Sequence, residues 1–393
     1  MGTAKLYYED PHCLDFTARV FSCTMEKDGY AVILDRTAFY PEGGGQPADH
    51  GFLGEAAVTH VREKDGAIVH LTDRPLPEGE TVAGRVDRKR RLDHMQQHSG
   101  EHIVSGLICR KYGCDNVGFH ISEDFVTIDF NASLRREDLW PIEDAANALI
   151  RADVPVRIVW PSPDELEKLE YRSKKALTGE VRIVEFPGAD ICACCGTHVV
   201  RTGEIGLVKL LSAEPHRGGT RIDMVCGRRA LEYLRLIHEE SHAAAVQLSV
   251  KPTALAAAVA RLKEENLRLK ERAAALESRE NERRAKELAG AGNVLLVEEG
   301  LSPDAARRLA DTVGEAAGGF CGVLAREESG GPLRYVLLAP AGGLRALVKE
   351  LNAAFGGRGG GNESFAQGSL AAETRQDDAA AFLSGRIPSL RVI

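Results

Sequence analysis

The chain has 393 residues, 44% of them hydrophobic, and a formal net charge of -8. That length suits about two to four domains with ordinary cores. No apolar run approaches the ~20 residues of a membrane span, and the polar, acidic stretch from Met1 to Asp10 is no secretory signal, so the expectation is a soluble, cytoplasmic protein with no membrane partner.

The first 85 or so residues read as all-β, because short apolar runs at Ala31–Leu34, Ala56–Val61 and Ala67–Leu71 are separated by Gly, Pro and Asp turn signals. A small barrel is the expected form. Within it stands Phe39-Tyr-Pro-Glu-Gly-Gly-Gly-Gln-Pro47. Three successive glycines lose much conformational freedom on folding, so some other surface must need that backbone close by. Next, Gly84 to Leu92 reads GRVDRKRRL, five basic residues in nine. The acidic net charge argues against a nucleic-acid partner, yet a short basic run can grip a few phosphates.

From Leu92 to about Lys111 the pattern is helical. Strands are expected within Phe119–Phe130, at Val156–Trp160, Val181–Val184, Ile205–Leu211 and Thr220–Val225. Helices are expected over Glu137–Arg151 and Glu165–Lys175. This is an α+β domain.

Glu232 to Ala289 is rich in helix formers, with a break at Pro252. After the break Leu255, Leu262, Leu269 and Leu276 recur every seven residues. With leucines at d, Asn266 is a polar a residue of the kind that fixes register. Glu265 with Lys270 and Arg272 with Glu277 complete the pattern of a parallel coiled-coil homodimer. An antiparallel hairpin with Leu231–Leu248 is the other open reading. The last part, 291 to 393, carries strands at Val294–Val297 and Tyr335–Leu338. It also carries helices at Asp304–Ala317 and Leu344–Phe355, then a glycine-rich loop, Gly356 to Asn362, bearing Arg358. The fold class is therefore multidomain α+β. The parts are 1–85 (β-barrel-like), 86–230 (α+β), 231–290 (helical hairpin or coiled coil) and 291–393 (α/β).

Nine cysteines are an odd number in a long chain and make no disulfide framework. Cys192, Cys194 and Cys195 crowd together, which in a reducing cell points to metal binding or chemistry. His98-Ser-Gly-Glu-His102 lies in the helical stretch, so its imidazoles share one face. A lone His-x3-His is commonly two surface histidines. Here Cys194 and His198 repeat the spacing about ninety residues later, around a turn at Gly196. One thiolate and three imidazoles suit Zn2+. A structural zinc knuckle is the bland alternative, and Cys192 and Cys195 are alternative ligands.

The pair HxxxH and CxxxH, in Gln97-His-Ser-Gly-Glu-His and Cys-Cys-Gly-Thr-His-Val199, resembles the editing domain of alanyl-tRNA synthetases and the free-standing alanyl-tRNA editing proteins. Phe39–Gly51 resembles that family's glycine-rich barrel motif. Gly356–Gly368 resembles the DHH-associated domain that ends the synthetase and the long editing proteins. The resemblance covers nearly the whole chain. It implies a zinc-dependent hydrolase that deacylates mischarged tRNA(Ala), carrying serine or glycine. Zinc would polarise the ester carbonyl or acidify a water. Since the barrel begins near Met1, no room remains for the aminoacylation domain, and no aminoacylation is expected. Glu101 stands where the synthetase motif has Thr, and Cys195 where it has Gly.

Glu101 is the candidate general base. Gly43, Gly44, Gly45 and Gln46 are candidates to close over the amino acid, His120 to line the pocket, and Asn116 to read a serine hydroxyl. Arg85, Arg88, Lys89 and Arg91 are candidate acceptor-stem contacts, and Arg358 a more distant tRNA contact. Two other functions compete: a non-catalytic RNA-binding protein with structural zinc, and a metallohydrolase of small esters.

Overall fold

Short alternating stretches between tight turns build the N-terminal part of the computed structural model, which describes residues 2–173, 179–326 and 331–393. The chain divides into two units, Met1–Ala244 and Ala245–Ile393. The first begins with β1 (Ala4–Lys5), α1 (Leu6–Glu9), β2 (Asp15–Glu26), β3 (Gly29–Leu34) and β4 (Arg36–Thr37). It continues with β5 (Gly51–Leu53), β6 (Ala56–Lys64), β7 (Ala67–Thr72) and β8 (Thr81–Val86). Strands β2-β3-β7-β6-β5-β8 close a barrel in that order, and closure removes the sheet edges. Alternation along β2 turns Ala18 and Val20 inward, onto Val32, Leu34, Val58 and Ile68. Sequence reasoning left β2 unmarked because Asp15, Thr17 and Arg19 interrupt its apolar residues. Those three are its exposed face.

An imidazole sits wholly inside this barrel. His70 Nδ1 donates to the Val32 carbonyl at 3.1 Å, and its Nε2 lies 2.8 Å from Thr37 Oγ1. The carbonyl can only accept, so Nδ1 carries the proton and Nε2 accepts from the hydroxyl.

The second part of this unit is built on α2 (Arg88–Tyr112), which Asp87 caps by accepting from Arg90 N and Gly113 ends in the left-handed region. Around it follow β9 (Asn116–Ile121), β10 (Val126–Phe130), α3 (Arg136–Arg151), β11 (Arg157–Val159), α4 (Pro163–Leu166), β12 (Ile183–Phe186) and β13 (Asp190–Ala193). Then come β14 (Val208–His216), β15 (Gly219–Cys226) and α5 (Gly227–Gln247). One sheet runs β14-β15-β10-β9 and a smaller one β11-β12-β13. Met95, Ile103, Val104 and Ile108 of α2 enter one core with Ile128, Phe130, Ile142 and Phe186.

Two expectations are corrected here. The helix expected over Glu165–Lys175 ends at Leu166; its last two residues lie outside the described ones. Arg172 is instead pulled into sheet pairing, donating N–H to Ile191 O and accepting from Ala193 N. Arg91, expected to face RNA, is 1% exposed. Its guanidinium pairs with buried Asp49 and donates to Pro11 O and Ala38 O, so it joins α2 to the barrel.

The second unit carries α6 (Leu255–Glu287), β16 (Gly292–Glu299), α7 (Pro303–Ala317), β17 (Gly318–Arg326), β18 (Arg334–Leu338) and α8 (Leu344–Ala354). β19 (Arg358–Gly361), β20 (Phe365–Ser369), α9 (Gln376–Ser384) and β21 (Arg391–Val392) complete it. Its six-stranded sheet runs β19-β20-β18-β17-β16-β21. The expected glycine loop is thus partly an edge strand. A Cβ on Gly359 would lie 2.3 Å from the Tyr335 hydroxyl, so glycine is needed where this strand crosses that ring. Along α6, Leu262, Leu269 and Leu276 are all more than half exposed. Among the described residues, no single helix is long and apolar enough to cross a membrane.

Burial pushes His70 down to about 4, against a small opposing pull from the Val32 carbonyl. In the unfolded chain it titrates near 6.5. As pH falls below 6.5 the unfolded state takes up a proton that the folded state refuses. Stability of the first unit should therefore fall by roughly 3 kcal/mol between pH 6.5 and 4 from this group, with no further loss below. Urea unfolding at pH 7 and pH 5 checks it: His70→Gln should be less stable at pH 7 but show a shallower pH slope.

Candidate metal centre

A turn of α2 separates His98 from His102, and the 194–198 segment folds over them without forming a helix. The ligand atoms of His98, His102, Cys194 and His198 all lie within 4.8 Å of one another. His98 Nε2 is 3.4 Å from Cys194 Sγ. The three imidazoles crowd together, with ring centroids 4.6 to 5.2 Å apart. Gly100 makes room on the opposite side: a Cβ there would lie 2.2 Å from Cys226 Sγ, so only glycine lets β15 pack on this helix.

Each helix imidazole is oriented by a partner on its Nδ1. His98 Nδ1 is 2.8 Å from Gln46 Oε1, and Gln46 donates through Nε2 to Thr197 Oγ1 at 2.8 Å. His102 Nδ1 is 2.8 Å from Asp190 Oδ2, and Arg172 grips Asp190 with two bonds of 2.7 Å. Both imidazoles therefore present Nε2 inward. Phe119 stacks on His98 and Phe186 on His102.

Burial alone would raise the Cys194 thiol, but His98, His198 and His102 hold it well below its ordinary value, as a thiolate. Burial would lower His102, but its bond to Asp190 and the charge of the neighbouring Cys194 raise it to about 9. His198 goes the other way: burial pushes it down to about 3, against the pull of Cys194. Asp190 is held below the usual carboxylate range by His102 and Arg172, against its burial.

This donor set fits a metal ion. Among the described residues, His102 Nε2 and both nitrogens of His198 are buried without a hydrogen-bond partner. Buried polar atoms are rarely left so. A cation between them would satisfy two imidazoles and balance the thiolate, and the Asp190–His102 pair is the usual support of such a ligand. A second group, His102, Asp190 and Cys192, is also close enough to share an ion. It is the poorer fit, because Arg172 occupies Asp190 and burial pushes the Cys192 thiol up. Cys195 is exposed.

The glycine motif supplies one of these supports. Gly43 and Gln46 exchange two backbone bonds, of 3.1 and 3.0 Å, across a turn whose Gly44 and Gly45 have φ of 60° and 84°. Such a turn favours glycine at both central positions. A Cβ on Gly45 would meet Phe119 at 2.6 Å. The turn thus presses on β9 and aims Gln46 at His98.

Other candidates lie further out. Glu101 is 1% exposed; its Oε1 accepts from Ser105 Oγ and Asn116 Nδ2, each at 2.6 Å. Asn116 is therefore committed to Glu101 and Ser105. His120 is exposed and lines a cleft of about 1380 Å³ with Gly43–Gln46, Lys89 and Arg228. The four ligand residues do not line this cleft. Arg85, Arg88 and Lys89 are exposed, as is Arg358 in the second unit. Sequence reasoning missed Asp190, Arg172, Phe119 and Phe186.

Two family profiles match the chain. One, described as the threonyl and alanyl tRNA synthetase second additional domain, covers residues 181–223, including Cys194 and His198. The other, described as tRNA synthetases class II (A), covers residues 14–90, the barrel strands. The alanine–tRNA ligase of Halorubrum lacusprofundi is 35% identical, over 96% of this chain and 43% of that protein. The alanyl-tRNA editing protein AlaX-L of Pyrococcus horikoshii is 31% identical, over 95% of this chain and 96% of that protein. The chain thus spans less than half of the ligase and nearly all of the editing protein. The solved C-Ala domain of Aquifex aeolicus alanyl-tRNA synthetase overlaps 23% of this chain and 86% of that domain, at 21% identity and a TM-score of 0.21, too little to argue from.

Asp190→Asn keeps the shape of the support but weakens its pull on His102. Divalent-ion affinity should drop about 10–100-fold, read by chelator competition on the folded protein. Unchanged affinity would show that Asp190 serves only to neutralise Arg172.

Proposed function

The chain belongs to the alanyl-tRNA editing family, and from that premise we propose that it hydrolyses the ester of mischarged tRNA(Ala), with serine or glycine as the amino acid released. The observation that carries the reading is the four-residue cluster with its inward, unpartnered imidazole nitrogens. His98, His102, Cys194 and His198 would hold the ion, and Zn2+ is the metal that three imidazoles and a thiolate favour. When bound it supplies Lewis acidity toward an ester carbonyl.

The chain's own residues do the rest. Gln46 and Asp190 fix which nitrogen each helix imidazole presents. Four protein ligands make a closed set, whereas catalysis needs an open position. Cys194 is half-buried while the three histidines are buried, so it would complete the set from the side nearer the surface. The turn at Gly44 has open space where a side chain would stand, so its backbone can close over a small amino acid. Glu101, held by two donors, ties α2 to β9 in this reading rather than taking a proton. Arg85, Arg88 and Lys89 would grip acceptor-stem phosphates, and Arg358 a distant part of the tRNA. No aminoacylation is assigned, and the site of action is the cytoplasm.

We read the chain as four working parts, 1–85, 86–230, 231–290 and 291–393. The exposed heptad leucines of α6, with the Glu265–Lys270 and Arg272–Glu277 pairs, fit a parallel homodimer. Leu262→Lys together with Leu269→Lys should convert it to monomer in sedimentation; an unchanged mass would remove the coiled coil.

The direct test is deacylation of Ser-tRNA(Ala), Gly-tRNA(Ala) and Ala-tRNA(Ala) by wild type and folded Cys194→Ala. Release of serine or glycine but not alanine, lost in the variant, is expected. No release from any of the three would overturn the proposal and favour an RNA-binding protein with structural zinc. Equal activity on free amino-acid esters would favour the small-ester hydrolase.

A further inference from the structure

The register of the small sheet brings one unassigned aromatic group beside the metal centre. Val159 pairs with Ile183, and Ile183 with Ala193. The next residue outward on each strand is therefore Trp160, Arg182 and Cys194, all at one end of the sheet. Two strand spacings, about 10 Å, separate the Trp160 backbone from that of the Cys194 ligand. Tyr8 fills the gap: its ring meets Trp160 edge-on at 5.7 Å, and its hydroxyl donates to Cys195 O at 3.1 Å. Behind it, the Arg182 guanidinium stands 4.9 Å from the Tyr8 centroid and donates to Cys194 O and Gly196 O. Trp160 is 50% exposed, beside Val159 at 48%.

A half-exposed indole, propped by a tyrosine that is itself anchored to the ligand loop, has no role in the barrel or in either core. Large aromatic rings left in water beside a site are characteristic of base stacking: every nucleobase has a π-face, and stacking tolerates sequence. Arg182 adds positive charge beneath the platform. Resting on the editing reading, we infer that Trp160, supported by Tyr8 and Arg182, stacks the unpaired terminal base of the RNA whose ester enters the metal centre. The ligand class is single-stranded RNA with an unpaired 3′-terminal base. Trp160 is a binding residue and takes no part in the chemistry.

The chain's two tryptophans are Trp140 and Trp160, so Trp140→Phe leaves Trp160 as the only indole reporter. The full-length, zinc-loaded variant is titrated with an RNA tetranucleotide ending in CCA, and with the same RNA lacking its last base. Quenching by the first, and about tenfold weaker binding of the second, is expected. No quenching, or equal quenching by both, overturns the platform. In parallel, Trp160→Ala should raise KM for mischarged tRNA about tenfold, and Trp160→Phe should restore most of it. An unchanged KM in Trp160→Ala speaks against stacking. Quenching without any deacylation by wild type would leave the platform standing and remove the editing reading. Deacylation without quenching would do the reverse.

Discussion

Three imidazoles and a thiolate cannot be packed around one buried point without something to hold them there. Neutral imidazoles desolvated side by side lose their hydrogen bonds to water, and a buried thiolate is costly without a compensating charge. In this protein the compensation comes in layers. Gln46 and Asp190 take the outward nitrogens of His98 and His102, Arg172 neutralises Asp190, and Phe119 and Phe186 close the flanks. The inward nitrogens are left for a cation. Much of the first unit is arranged to make those contacts: the barrel delivers Gln46, α2 delivers two histidines, and β13 delivers Asp190 and then Cys194.

That dependence explains what could be read from the sequence and what could not. The spacing of His98 with His102, and of Cys194 with His198, is local and survives in the primary structure. So does the demand of three glycines for a close surface, which proved to be Phe119 on β9. Arg91 was misread because it sits in a basic run. Yet Arg91, Met95, His98 and His102 follow one another at helical spacing, and a cation on the ligand-bearing face must be buried with it. No such signal existed for Arg172. Its stretch reads as helix-forming, and only pairing with β13 pulls it straight. Asp190 carries no motif, because its partner lies 88 residues away.

The second unit shows a milder version of the same lesson. A run of glycines with an arginine reads as a loop, but a strand can tolerate glycine where a neighbouring side chain fills the space. Tyr335 reaches between β19 and β20 to bond Asn352, and its hydroxyl occupies the place of the missing Cβ atoms at Gly359 and Gly368. The glycines are explained by packing. Arg358, at the exposed start of that edge strand, is not.

The burial of and support around the four residues are uneven. His98 and His102 are each locked by an oriented side chain and a stacked ring, and His198 is fully buried between them. Cys194 is the least buried of the four. It sits at one end of the small sheet, its sulfur 3.4 Å from both Gly196 N and His98 Nε2, and its backbone is bonded to Arg182 on both sides. Cys194 also lies at the end of the sheet where Trp160 and Tyr8 lie. His98, His102 and His198, the three buried residues, would hold an ion from the protein side, and Cys194, nearer the surface, would complete the set.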